Sequence, residues 1–148
     1  MLATARGQAI RFKESDIREM GRSAKGVRAM KVSAKDMIVG ADVVRNEKES
    51  EFLVVTDKGY GKRTDVAEYK VQKRGGSGIK TANVTEKTGA VIAGQIITPD
   101  LKEIIVASKK GQVIRTELAQ VPSLSRVTQG VRVMKLREGD KIAAFTTL

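Results

Sequence analysis

The chain has 148 residues, enough for one domain with a real core, and carries 28 Lys and Arg against 17 Asp and Glu, a net charge of +11. It contains no Cys and no His, which excludes disulfides, thiolate metal sites and imidazole catalysis; neither a metal nor a cofactor is expected. No apolar run approaches the roughly 20 residues of a membrane span, and the opening MLATARGQAIRF lacks the apolar core of a signal peptide, so a cytoplasmic location is expected.

The first predicted element is a hairpin, Leu2–Ala5 and Gln8–Phe12 about Arg6-Gly7. A glycine closing a short polar turn between apolar runs signals a hairpin, because glycine tolerates positive φ. A polar stretch follows at 13–25, then a third strand, Val27–Val32, and a fourth, Met37–Val44. The same series returns 52 residues later. Its elements are Phe52–Thr56, the turn Asp57-Lys58-Gly59, Tyr60–Thr64, the polar stretch 65–77, Ile79–Val84 and Ala90–Ile97. It returns again as Ile104–Ser108, Lys109-Lys110-Gly111, Gln112–Thr116, the stretch 117–129, Val131–Leu136 and Ile142–Leu148. The anchors keep step to the residue: Gly7, Gly59 and Gly111; Arg11, Arg63 and Arg115; Gly26, Gly78 and Gly130.

A period near 50 is the length of one small sheet in a repeat architecture. We therefore expect an all-β chain of three four-stranded repeats, at about 1–50, 51–102 and 103–148. Twelve strands in three units is the arithmetic of propeller blades, which need about 4–8 copies to close a ring. The three repeats thus make half of a six-bladed body, completed either by further blades of a longer chain or by a second copy in a homodimer. Continuous apolar runs such as Ala90–Ala93 predict strands buried on both faces, as between stacked sheets.

The charge is shared among the repeats, at +4, +3 and +4, and so belongs to the unit and not to a tail. Such basicity points to a polyanion, most often nucleic acid. Its densest stretch holds Lys58, Lys62, Arg63, Lys70, Lys73, Arg74 and Lys80 around Gly75-Gly76-Ser77-Gly78. Glycines let backbone N–H groups approach a phosphate while Arg and Lys supply charge. Arg11, Arg63 and Arg115 have two readings: a basic stripe along the rim, or bonds to carbonyls and carboxylates between blades. A Walker loop is excluded, because position 56 is Thr where Gly is needed and Arg63 follows Gly61-Lys62. Five Tyr and Phe residues in all disfavour base stacking as the main binding mode.

Gln72-Lys73-Arg74-Gly75-Gly76-Ser77-Gly78 resembles the gyrase A-box, a Gln-basic-basic-Gly-Gly-basic-Gly heptad, with Ser77 at its third basic position. Arg11-Phe12-Lys13-Glu14-Ser15, Gly26-Val27-Arg28, Gly59–Glu68 and Thr128-Gln129-Gly130-Val131 resemble the fourth, fifth and sixth blades of the C-terminal domain of DNA gyrase A. The corresponding domain of topoisomerase IV is the close relative. The resemblance covers essentially the whole chain. It implies a β-pinwheel, whose blades exchange strands, and a basic rim that binds and wraps duplex DNA. In the complete enzyme, wrapping supports ATP-driven negative supercoiling, while ATP hydrolysis and the DNA-cleaving tyrosine lie in other domains. Tyr60 and Tyr69 are accordingly assigned to packing at blade edges. The implied partners are double-stranded DNA, the remaining blades and the gyrase holoenzyme. The candidate DNA-binding residues are Arg11, Lys13, Lys62, Arg63, Lys70, Gln72, Lys73, Arg74, Gly75, Gly76, Ser77, Gly78, Lys80, Arg115 and Arg126. The alternatives are an interaction module that docks an acidic protein and an RNA-binding β-protein; an autonomous enzyme is disfavoured.

Overall fold

The computed structural model describes all 148 residues, and they form an all-β protein. Repeat 1 contributes β1 (Leu2–Thr4), β2 (Gln8–Phe12) and β3 (Ile38–Ala41). Repeat 2 contributes β4 (Glu51–Thr56), β5 (Tyr60–Asp65), β6 (Val71–Gln72), β7 (Ile79–Lys80) and β8 (Val91–Ile97). Repeat 3 contributes β9 (Glu103–Ser108), β10 (Val113–Glu117), β11 (Val131–Arg132) and β12 (Ile142–Thr147). The polar stretches open with a single 3-10 turn at Glu14–Asp16, Val66–Glu68 and Leu118–Gln120, which again keeps the 52-residue step.

In each repeat the two hairpin strands pair, and the last strand adds to the far side of the first. The expected third strand does something else. It crosses to the sheet of the preceding repeat and is only two residues long as a strand. Thus β7 pairs with β2, matching Gln8 to Lys80 and Ala9 to Ile79. Likewise β11 pairs with β5, matching Tyr60 to Arg132 and Gly61 to Val131. A second tie is parallel: β6 runs beside Arg11–Phe12, and Ser123 bridges Arg63 in the same way. The three sheets therefore hold five, four and three strands, where four apiece was expected. The first sheet gains β6 and β7 and the second gains β11, the third holds only β9, β10 and β12, and Val27–Val32, the third strand predicted for repeat 1, forms no strand.

The core lies in two layers between the blades. Successive side chains of a strand point to opposite faces. Phe52 and Val54 therefore pack towards repeat 1 with Ala3, Ala9, Val66, Tyr69 and Ala82. Leu53 and Val55 pack towards repeat 3 with Ile104, Val106, Leu118, Val121 and Met134. The two-sided burial read from continuous apolar runs is realised most fully in β4, where five of six residues are buried. Tyr69 is a junction-core residue and not a blade-edge one: its ring meets Phe52 edge to face at 5.8 Å and its hydroxyl bonds Thr81 Oγ1 at 2.6 Å. This aromatic pair adds about 1 kcal/mol beyond its burial.

Candidate nucleic-acid interface

The periodic arginines hold the blades together. The Arg11 guanidinium donates to the carbonyls of Val66 and Tyr69, each at 3.2 Å, and pairs with Glu47 at 2.7 Å. One step later Arg63 donates from Nε to the Val121 carbonyl at 2.7 Å and pairs with Glu51 at 2.6 Å. Residues 69 and 121 are again 52 apart, so this is one bond made twice. Arg115 pairs only with Glu103. Of the two readings open for this triplet, the bonds between blades describe Arg11 and Arg63; neither side chain is free for a stripe.

Arg74 and Arg126 form a second such pair. Arg74 donates to the carbonyls of Arg28 at 2.8 Å and Asp16 at 3.1 Å. Arg126 donates to the Lys80 carbonyl at 2.9 Å and faces Glu68 at 3.9 Å. The glycines of the A-box-like heptad also sit in the junction. Gly75 donates its N–H to the Ala29 carbonyl, and the Gly76 carbonyl accepts from Lys31. At Gly78, where φ is +75, a Cβ would stand 2.4 Å from the Ala9 carbonyl oxygen. Gly78 thus permits close approach of two backbones, whereas a Cβ at Gly75 or Gly76 would make only ordinary contacts, and Gln72 lies half-buried in β6 beside Phe12.

Lys62 is buried, and its ammonium donates to the carbonyls of Ser125 at 2.5 Å and Arg126 at 2.6 Å. Burial lowers its pKa to about 8, an effect the nearby Glu68 carboxylate opposes and Arg126 reinforces. The corresponding positions in the other repeats are Ile10 and Ile114, which marks this as a packing position. Of the predicted set, Lys13, Lys70, Lys73, Ser77, Lys80 and Arg115 are the exposed members.

A denser basic feature lies at the second junction. An open cleft of about 490 Å³ is lined by Lys58, Lys87, Arg132, Lys135 and Lys141, with Asp140 as its one acid. Tyr60 forms its wall: the Arg132 and Lys87 cations stand 5.7 and 5.8 Å from the ring centroid. Arg132 also donates to the Tyr60 hydroxyl at 3.3 Å, which lowers the phenol's pKa, and the charges of Arg132 and Lys87 act the same way. Asp140 offsets one charge of this field. Burial pulls its pKa up. Bonds from the Ser108 hydroxyl and from the N–H groups of Lys141 and Lys110, with the Lys110 charge, outweigh that and hold it low. The carboxylate is thus held ionised while bonded to the protein. Lys141 is paired with Asp57, and the Lys58 ammonium donates to the Glu86 carbonyl. Lys87, Arg132, Lys135 and Lys141 escaped the sequence reading, and Lys58 entered it only as part of a basic run. The signal was present in the 52-residue step: Arg132 pairs with Tyr60 as Lys80 pairs with Gln8, and Lys58 corresponds to Arg6 and Lys110. No group of acidic residues is placed to hold a metal ion.

Three propeller blades joined by exchanged third strands, with a basic cleft at the second junction, define a β-pinwheel repeat module. The family described as DNA gyrase C-terminal domain, beta-propeller, matches residues 1–45, 50–98 and 102–147. The chain belongs to that family. It is 41% identical over 143 residues to DNA gyrase A of Staphylococcus epidermidis, covering 97% of this chain and 16% of that protein. To DNA gyrase A of Thermotoga maritima it is 43% identical over 128 residues, covering 86% and 16%. It thus spans about one sixth of the length of these relatives. Among solved structures it superposes on a DNA gyrase A C-terminal domain with a TM-score of 0.83 and 25% identity, covering 99% of this chain and 49% of that one. A topoisomerase IV C-terminal domain shares the fold, with a TM-score of 0.85 and 23% identity over 99% of this chain and 45% of the other.

Proposed function

We propose that this chain is a non-catalytic module that binds duplex DNA and wraps it for a type II topoisomerase, DNA gyrase. The observation that carries the reading is the cleft between blades 2 and 3, where five cations outnumber Asp140 and the Asp57 partner of Lys141, in a chain with net charge +11. Lys and Arg at this density suit phosphate oxygens, and such contacts place a duplex without reading its sequence. Exposed Lys70, Lys73 and Lys80 extend the basic surface of repeat 2, Lys13 that of repeat 1 and Arg115 that of repeat 3. Arg11, Arg63, Lys62, Arg74 and Arg126 act in this scheme from behind, by fixing one blade against the next. Exposed cations on all three blades suit a long stretch of duplex, and the supercoiling role belongs to the whole enzyme.

The test is fluorescence anisotropy on a mixed-sequence duplex at several salt concentrations. Affinity is expected to fall steeply and log-linearly with salt, because each neutralised phosphate releases counterions. Arg132→Gln is expected to weaken binding on every sequence alike and to reduce the salt slope by about 1. A slope near zero refutes the proposal. Equal or tighter binding to an acidic polypeptide selects docking to an acidic protein, and preference for duplex RNA selects the RNA reading.

A further inference from the structure

The second-junction cleft holds more charge than the repeat accounts for. Lys58, Lys87 and Arg132 have basic counterparts one step earlier, Arg6, Lys35 and Lys80, so these three positions belong to the unit. A ligand that runs from blade to blade explains them. Lys135, Lys141 and Tyr60 do not repeat: the first junction has Asn83, Gly89 and Gln8 in their places. There Lys80 turns to the Asn83 side chain at 3.1 Å. What is particular to one junction points to a ligand particular to it.

The cations of the cleft converge from separate segments. Lys58 comes from the β4–β5 turn, Lys87 from the turn before β8, Arg132 from β11, Lys135 from the residues after it, and Lys141 from the position before β12. Five cations against Asp140 and Asp57, the partner of Lys141, leave three positive charges on one concave surface. Lys87, Arg132 and Lys135 are exposed and have no carboxylate partner. Like charges gathered this closely repel one another, and a compact polyanion relieves that repulsion. The cleft volume of about 490 Å³ falls within the roughly 300–1,000 Å³ of small-ligand sites.

Tyr60 narrows the chemistry. It is only 7% exposed and its ring is engaged by Lys87 and Arg132, so it offers no open face to a stacked base. Its hydroxyl accepts from Arg132 at 3.3 Å, which leaves the hydroxyl's own proton to donate to an anion. The Arg132 guanidinium, steadied by ring and hydroxyl, keeps N–H groups for the oxygens of a phosphate. Together these groups suit several phosphates in a row, carrying three or more negative charges and no base.

We propose that the cleft is a discrete site for a free linear oligophosphate, with tripolyphosphate as the probe. This rests on the reading of the cleft as a phosphate-binding surface, which it shares with the proposed function, but it does not require a duplex. An oligophosphate in place would hold cations that a bound duplex also uses.

Isothermal titration calorimetry on the 148-residue chain tests it with tripolyphosphate, pyrophosphate and orthophosphate at fixed ionic strength, without divalent cations. One site per chain is expected, with affinity rising at least about tenfold from orthophosphate to tripolyphosphate. Lys135→Gln and Arg132→Gln should each weaken tripolyphosphate about tenfold. Lys48→Gln, at an exposed lysine outside the cleft, should leave it unchanged. Tyrosine emission gives a second readout. The chain has no Trp and two Tyr, and Tyr69 is buried in the first junction, so a saturable change reports on Tyr60. Filling the site should also weaken binding of a labelled duplex at the same ionic strength. Binding that does not saturate, orthophosphate as tight as tripolyphosphate, affinity indifferent to Lys135→Gln, or duplex binding indifferent to a filled site overturns the inference. A chain that binds duplex but not tripolyphosphate overturns this inference alone. One that binds tripolyphosphate but no duplex upholds it and refutes the DNA reading.

Discussion

The glycines 52 residues apart allow one substitution to be made in three environments with the same backbone. Gly26, Gly78 and Gly130 have φ of +77, +75 and +79, so alanine at any of them costs about 1–2 kcal/mol of left-handed strain. What differs is the space. At Gly130 a Cβ would lie 2.5 Å from the Gly61 carbonyl oxygen and 2.9 Å from its carbon, where ordinary contact begins at 3.4 Å. Both are backbone atoms in a paired strand, so β11 must move off β5 by nearly an ångström. That displacement strains the bonds from Val133 and Met134 to the Gly59 carbonyl, now 2.8 and 3.2 Å, along with the two-residue pairing beside them. At about 1 kcal/mol net per backbone bond, the total for Gly130→Ala reaches about 3–5 kcal/mol. Gly26→Ala meets nothing within 4 Å and should cost only the strain, about 1–2 kcal/mol. Urea unfolding at low micromolar protein, with slopes compared between variants, measures both. Equal losses at the two sites, or a loss under about 2 kcal/mol at Gly130, would refute the account of these glycines as close-approach points between exchanged strands.

The arginines make a parallel comparison. Arg63→Ala removes a clamp on the Val121 carbonyl and the partner of Glu51, and should cost about 2–3 kcal/mol; Arg115→Ala removes an exposed pair and should stay within about 0.5 kcal/mol in the same unfolding assay. Lys62 predicts a pH dependence. Its folded pKa of about 8 lies below the usual 10.5, so between these values the unfolded chain holds a proton that the native chain has released. Stability conferred by this group therefore rises with pH across that window, by at most about 3 kcal/mol and by less where water screens the ammonium. Lys62→Met should flatten that rise relative to the parent chain in unfolding curves from pH 7.5 to 10.5; an unchanged slope would show that burial does not set the lysine's pKa. In a plasmid assay, relaxation by a nicking-closing enzyme in the presence of the chain should leave a shift in linking number that salt abolishes, and no shift at any salt would argue against wrapping.

Much of the architecture is legible in the sequence because it is written three times. The hairpins about Gly7, Gly59 and Gly111 stand where the turn chemistry puts them, since a hairpin is decided by residues a few positions apart. The arginine and glycine periodicities are equally visible, and the first of them carried both its readings. What periodicity does not reveal is the destination of a repeated group. The stretch Lys70–Lys80 reads as one basic cluster along the chain, yet in space Arg74 turns to the Arg28 carbonyl and Gly75–Gly78 lie against repeat 1. Conversely, Lys58, Lys87, Arg132 and Lys141 are far apart along the chain and meet at one cleft because β11 crosses to the neighbouring sheet.

By itself the sequence determined the unit, its hairpins, its count and its excess of positive charge, because these depend on local turn chemistry, on alternation and on composition. Only the tertiary structure decided which cations are spent between blades and which face solvent. A guanidinium within reach of buried carbonyls bonds them in preference to water, and whether such carbonyls are within reach depends on the 3-10 turn contributed by the next repeat.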